Sequence, residues 1–474
     1  MKNILIIGAG PAGASSFYLL SKEKRFNVTL IEKSEHIGGM SRSFELFGFR
    51  VDLGPHRFFS SDHRVNSLWL EIVGKNYKII QRQTRILYEK NFYSYPLNAF
   101  DAISKLGIIR VIKCISSYAF ALIFPRKDTH KFEGWMINKF GKELYSIFFK
   151  SYTEKLWGVS CNELDSTFAK QRIKKFSLYE AIKSALTSYK NVHKTLVDEF
   201  AYPIMGTGSV YNEMVRLGVQ NGGNFSKDTF LTEIYQEDNQ VHTVNNKGEH
   251  HVYDHVISSM PITDFLILNR DTPKNILTFS KGLKFRNTVL GYVKIKKKNL
   301  FSDQWIYIQE NDITTGRITN FNNWIPELNP NNLEYTMLAM EYWCFESDEI
   351  WTMESAPFFK ILSNDLKNCG FIESEKEISE FKKINIPKCY PMYDNNYESN
   401  LNPIIDYLKK IPQFQFVGRY GSFKYNNQDH SILMGWMASM NIIIGKKEYD
   451  LWEVNSDYEY QESSLITATG LVKI

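Results

Sequence analysis

The chain has 474 residues, 43% of them hydrophobic and 23% charged, enough to bury a large core and above the usual size of one domain. Its formal net charge of +5 is mild, and no dense Lys/Arg stripe marks a nucleic-acid surface, so a small anionic ligand suits it better. Five widely spaced cysteines, with no C-x-x-C pair, argue against a structural zinc or a redox disulfide and for a reducing, cytoplasmic setting. No signal peptide is expected, and the longest apolar stretch, 108–125, is interrupted by Arg110, Lys113 and paired serines, so no integral membrane segment is expected either. That stretch reads as a greasy surface helix.

In chain order, Lys2–Ile7 reads as a buried parallel strand, followed by Gly8-Ala9-Gly10-Pro11-Ala12-Gly13 and a helical run to Leu20. Gly8 makes the tight turn, Gly10 lets backbone approach a pyrophosphate, and Gly13 lets the helix pack on the strand. The helix N-terminus then points partial positive charge at that phosphate. A second strand ends at Ile31, and Glu32 follows it, about 20 residues on from the turn, where a carboxylate accepts ribose hydroxyls. Gly38-Gly39 forms a second glycine turn that resembles the GG motif of flavoproteins, so FAD is preferred to NAD. Ala12, Lys33, Met40 and Arg57 flank these turns and join the expected cofactor-binding set.

Past Gly54-Pro55, His56 sits where the chain must turn sharply. Residues 101–186 are largely helical in pattern and read as a substrate lid or subdomain. Residues 229–259 return to strands, with a hairpin about Glu237-Asp238-Asn239 and a buried strand over His255–Ser258. Alternation over 285–345 suggests a larger antiparallel sheet. Residues 414–419 read as a strand rejoining the first sheet, with an apolar helix starting near Ser431. The expected fold class is α/β: a Rossmann-like FAD-binding domain with an inserted helical subdomain and an antiparallel β-sheet substrate domain. Its segments are a cofactor domain over 1–95, 201–265 and 401–474, helices over 96–200 and the sheet over 266–400.

The blocks IIGAGPAGASS, IGGMSRS with GPHRFFSSDHRV, GKELYSIFFKSYTEKLWG, TTGRITNF and FVGRYGSFKYNNQD together resemble the UDP-galactopyranose and dTDP-fucopyranose mutases. The third block discriminates best, because few flavoproteins share Y-T-x-K-x-W-G after such a helix. The resemblance implies an isomerase with reduced FAD, whose N5 attacks the anomeric carbon of a nucleotide sugar and displaces the diphosphate. The ring then reopens and closes through another hydroxyl. On this likeness the nucleophile is the cofactor, and side chains only support it.

Position by position, the resemblance puts Thr153 and Trp157 against substrate, makes Arg317 one of two arginines clamping the diphosphate, and gives Tyr390 and Tyr425 hydroxyls on it. The second arginine is Arg172, which fits after a one-residue shift. His56 matches a residue against the flavin ring, Arg419 an arginine near the flavin, and Asn426, Gln428 and Asp429 a turn along the ribityl chain. Tyr307 stands where bacterial galactopyranose mutases carry asparagine, and that departure, with the GPHRFFS wording, leans towards dTDP-fucopyranose. The partners implied are a nucleotide-diphosphate sugar and an external reductant, and a homodimer stays open as an assembly. Two other readings stay open: an FAD-dependent oxidase or desaturase of the protoporphyrinogen oxidase or amine oxidase type, and a non-enzymatic flavin scaffold.

Overall fold

The structure, a computed structural model, describes residues 1–95, 99–167, 169, 199–329 and 334–455. At its centre a five-stranded parallel sheet runs in the order Phe414–Phe416, His255–Ser258, Lys2–Ile7, Phe26–Ile31, Asn224–Ser226. Lys2–Ile7 is central, with Ile4 level with His255 on one side and Val28 on the other. Its apolar run is continuous because helices cover both faces of such a sheet. The closing strand does rejoin the sheet that opens the chain, 256–258 pairing with 414–416.

Helix Pro11–Ser21 packs against Gly208–Gln220 and Gln428–Ile444. Small residues allow the close approach: a Cβ on Gly435 would fall 2.3 Å from the Ala12 carbonyl oxygen, and Phe17, wholly buried, fills the space over Gly218 and Gly223. The last helix starts at Gln428, slightly ahead of the expected Ser431, because Asn427 supplies its N-terminal cap.

The second sheet has seven strands in the order Ile378–Pro391, Phe285–Ile295, Thr336–Cys344, Arg317–Asn320, Trp305–Ile308, Thr84–Tyr88, Asn91–Ser94. It is antiparallel except where Trp305–Ile308 pairs in parallel with Thr84–Tyr88. Those two outer strands, 84–88 and 91–94, come from the segment expected to belong with the opening cofactor domain. All nine residues of Thr336–Cys344 are buried, since both faces are covered. Leu338, Met340 and Tyr342 pack on Phe358 and Leu362, while Met337, Ala339 and Trp343 belong to the cluster around Trp157 and Tyr390. Glu341 shares the second face, a polar exception in an apolar strand.

A meander of Leu231–Glu237, Gln240–Asn245 and His250–Tyr253 confirms the expected hairpin, its two-residue turn at Asp238 and Asn239 having φ of 49° and 61°. The helical block is cut into Ala99–Leu106, Ile108–Ile123, Phe132–Phe140 and Lys142–Tyr145, then a π turn over Ser146–Lys150 leading into Ser151–Trp157. The expected helix over 170–186 lies outside the described residues. Among those residues no helix is long and apolar enough to cross a membrane, and no cluster could hold a metal ion. All five cysteines are free thiols.

Candidate active site

One cavity of about 1320 Å³ runs from the central sheet to the seven-stranded sheet. Ordinary ligand pockets span roughly 300–1,000 Å³, so this cavity is larger than one small ligand requires.

The end on the central sheet is made mostly of backbone. Gly8, Gly10 and Ala12 line it where strand Lys2–Ile7 meets helix Pro11–Ser21. Gly13 does not line the cavity but lies beneath it: a Cβ there would stand 1.8 Å from the Gly8 carbonyl oxygen. The second glycine turn, Gly38 with φ 104° and Gly39 with φ 54°, locks onto the first, as Gly38 N–H donates to the Ala9 carbonyl at 2.9 Å. Gly39 and Met40 then line the cavity beside Gly10. Helix Pro11–Ser21 has no side-chain cap, so its first amides remain available to an anion. Glu32 accepts N–H bonds from Ala9 at 2.7 Å and Ser34 at 2.9 Å, which fixes its carboxylate at the strand end, next to Lys33. Uncapped helix, bare glycines and an oriented acid fit the ADP half of a dinucleotide.

The middle is held by polar side chains. His56 lines the cavity, and its Nδ1 lies 3.2 Å from the Gly54 carbonyl oxygen, which can only accept, so Nδ1 carries the proton. Burial, and then the Arg419 and Arg317 charges, hold the imidazole down to about 3, leaving it neutral. Thr207 donates to the His56 carbonyl at 3.0 Å. Beneath this turn Asp52 accepts from Ser43, from the Tyr202 hydroxyl at 2.8 Å and from the Thr207 N–H, yet burial lifts its carboxyl to about 6. Arg57 joins the lining, and its carbonyl accepts from Gln428 Nε2 at 2.7 Å, tying the His56 turn to the first residue of the last helix. Asn426 and Gln428 line the cavity, whereas Asp429 does not and sits by His430, 3.4 Å away.

The far end is made of side chains from distant strands. Arg317 opens its strand and, in register, faces Glu341 of the neighbouring strand. Its Nε and Nη2 each donate to that carboxylate at 2.6 Å, a bidentate pair that takes two of the five guanidinium N–H groups of a cavity-lining arginine. Tyr390 and Tyr425 stack with ring centroids 5.1 Å apart, and the Arg419 guanidinium covers both, 5.3 and 5.0 Å from their centroids. Arg419 is fixed by the carbonyls of Asn426 at 2.9 Å and Cys389 at 3.1 Å. Tyr307 and Thr153 complete the lining, with Tyr152 edge-on to Tyr307 at 5.4 Å. Trp157 is placed behind this wall: it is buried and meets Tyr390 and Tyr425 edge-on at 6.4 and 6.3 Å. Arg172 lies outside the described residues. Overall the cavity presents five basic side chains against three acidic ones.

Four residues were missed by sequence reasoning. Tyr152 and Lys155 stood in plain view inside the Y-T-x-K-x-W-G block. Lys155 Nζ donates to the carbonyls of Ile308, Glu310, Ile313 and Thr315 at 2.8–3.3 Å. Its burial draws the ammonium down to about 8. From the other side Asp365 accepts the Thr314 and Thr315 N–H groups at 3.0 and 2.8 Å. The loop that delivers Arg317 is thus gripped by a cation on its carbonyls and a carboxyl on its amides. Neither Asp365 nor Glu341 carries a motif signal, since their roles exist only once strands and loop are assembled.

A family model described as an NAD(P)-binding Rossmann-like domain matches residues 6–72. The chain is 30% identical over 182 residues to a probable UDP-galactopyranose mutase of Klebsiella pneumoniae, covering 36% of this chain and 44% of that one. It is also 30% identical over 181 residues to a dTDP-fucopyranose mutase of Escherichia coli, covering 36% and 46%. Each match therefore spans less than half of the curated relative. A crystal structure of reduced UDP-galactopyranose mutase superposes with a TM-score of 0.85 at 20% identity, over 99% of this chain and all of that one, which shows a shared fold. Over about a third of its length the chain is thus similar in sequence to a UDP-galactopyranose mutase and a dTDP-fucopyranose mutase, and along nearly all of it the chain shares the fold of a UDP-galactopyranose mutase.

Proposed function

We propose that the protein is a flavin-dependent pyranose–furanose mutase acting on a nucleotide-diphosphate sugar. FAD, bound in the glycine cradle and kept reduced by an external reductant, would supply a nucleophilic N5 for the anomeric carbon. What the chain's own residues do follows from their chemistry. The Arg317 N–H groups left over from the Glu341 pair and the phenols of Tyr390 and Tyr425 hold the departing diphosphate, where added stabilisation lowers the barrier most. Tyr152, Tyr307 and Thr153 orient the sugar, and neutral His56 shapes the flavin side without adding charge. The carrying observation is a cavity with a dinucleotide cradle at one end and the Arg317–Glu341 pair beside the stacked tyrosines at the other. An oxidase of an apolar substrate has no use for that polar end.

Between sugars, dTDP-fucopyranose is preferred to UDP-galactopyranose because the GPHRFFS wording resembles the branch that includes dTDP-fucopyranose mutase, while Tyr307 departs from the asparagine of bacterial galactose enzymes. The furanose product would serve a surface polysaccharide. The test is incubation of dithionite-reduced protein with each nucleotide sugar, with furanose measured by chromatography. Conversion of dTDP-fucopyranose is the expected result. No isomerisation of either sugar, together with oxygen consumption on a porphyrinogen or an amine, would overturn the reading.

A further inference from the structure

Helix Ile108–Ile123 turns its apolar side outwards. Its inner face buries Val111 and Ala121, while Ile108, Ile109, Ile112, Ile115, Phe120 and Ile123 are 51–71% exposed. At about 100° per residue these six fall on one broad face, and none of the described residues covers it. Water-facing apolar stripes of this size mark a docking surface.

Charge selects what docks there. Residues 102–127 hold five Lys or Arg and no Asp or Glu. Lys105 and Arg110 pair with Asp101 and Glu89, but Lys113, Arg126 and Lys127 stand exposed at the rim with no ion pair among the described residues. A second copy would bring the same cations face to face, and like-charge juxtaposition opposes association. An anionic headgroup layer complements them. The helix is 16 residues long, so about 24 Å, short of the roughly 30 Å hydrocarbon core, and it suits lying in the surface plane. We propose that this helix docks the protein on the surface of an anionic lipid bilayer, with the isoleucine face in the headgroup–acyl boundary and the basic rim on the phosphates. This proposal stands apart from the mutase reading.

Co-sedimentation of the full chain with phosphatidylglycerol–phosphatidylcholine vesicles, and with phosphatidylcholine alone, tests it. The wild type is expected to pellet with the anionic vesicles at least about tenfold more than with the neutral ones, less so at high salt. Ile109→Glu with Ile123→Glu should abolish pelleting, and Arg126→Glu with Lys127→Glu, at exposed sites, should remove the anionic preference. Unchanged melting by circular dichroism checks folding of both. Wild type remaining in the supernatant, or both variants pelleting like wild type, would overturn the proposal. So would a dimer in light scattering that Ile109→Glu with Ile123→Glu dissociates while vesicles capture nothing, since the face then belongs to a second copy.

Discussion

The two ends of the cavity are built on opposite principles. The glycine end is backbone, assembled from two turns within the first 39 residues and one oriented acid. The arginine end is side chain, gathered from strands Arg317–Asn320, Thr336–Cys344 and Ile378–Pro391 and from helix Ser151–Trp157. A backbone site tolerates almost no added atom, whereas a side-chain site depends on the groups that hold its members in place.

The largest effect is expected at the backbone end. Gly13→Val puts a Cβ into the Gly8 carbonyl, where relief requires moving helix from strand. It should cost about 3 kcal/mol or more and abolish flavin retention, read from thermal melting and the absorbance of the purified protein. A variant that melts normally with flavin bound would show the cradle is slack.

Next comes Arg317→Ala, which strands Glu341 in the interior. Losing one partner of a buried pair costs about 3–5 kcal/mol, visible by denaturant unfolding. Nucleotide-sugar binding should weaken by at least about 2 kcal/mol with the flavin spectrum intact. Adding Glu341→Gln should restore most of the stability and none of the binding. If it restores both, Arg317 has no part in the diphosphate site.

A smaller loss is predicted for Lys155→Met. It frees the loop before Arg317 and should weaken nucleotide-sugar binding about tenfold without touching flavin content, because displacement of a positioned group by even 1 Å is costly. Lys155→Arg should recover part of it, as measured by calorimetry.

The smallest effect concerns pH. The His56 value of about 3 when folded lies below the ordinary 6.5, so the unfolded chain takes up a proton that the folded one refuses. Stability from this group is full above about 6.5 and lost as pH falls towards 3. Asp52, lifted to about 6 from 3.8, works the other way and favours the folded state as pH falls through that window. His56→Asn should therefore flatten the acid-side loss of melting temperature, and Asp52→Asn should steepen it.

The same contrast explains what could be read in the sequence. Gly8, Gly10, Gly13, Glu32 and Gly39 announce themselves because their geometry is set within a few residues of chain, and the order of strand, turn and helix follows from local pattern. Arg317, Tyr390 and Tyr425 were found only through likeness to known blocks, since nothing in their neighbourhoods requires them to meet. Glu341 could not be found at all: a single acid in an apolar strand acquires meaning only from the register that sets it opposite Arg317. Trp157 shows the reverse case, a residue flagged for substrate that the structure packs behind the tyrosine wall.

The Arg317–Glu341 pair bears on turnover. In the proposed reaction the product carries the same diphosphate as the substrate, so a cation with no other attachment would hold both too long. Because Nε and Nη2 each keep a bond to Glu341, a bound diphosphate would gain or give up only the N–H groups outside that pair, and its departure would leave the guanidinium still paired. On that proposal the acid would limit the cation's grip as well as aim it, easing the exchange of product for fresh substrate.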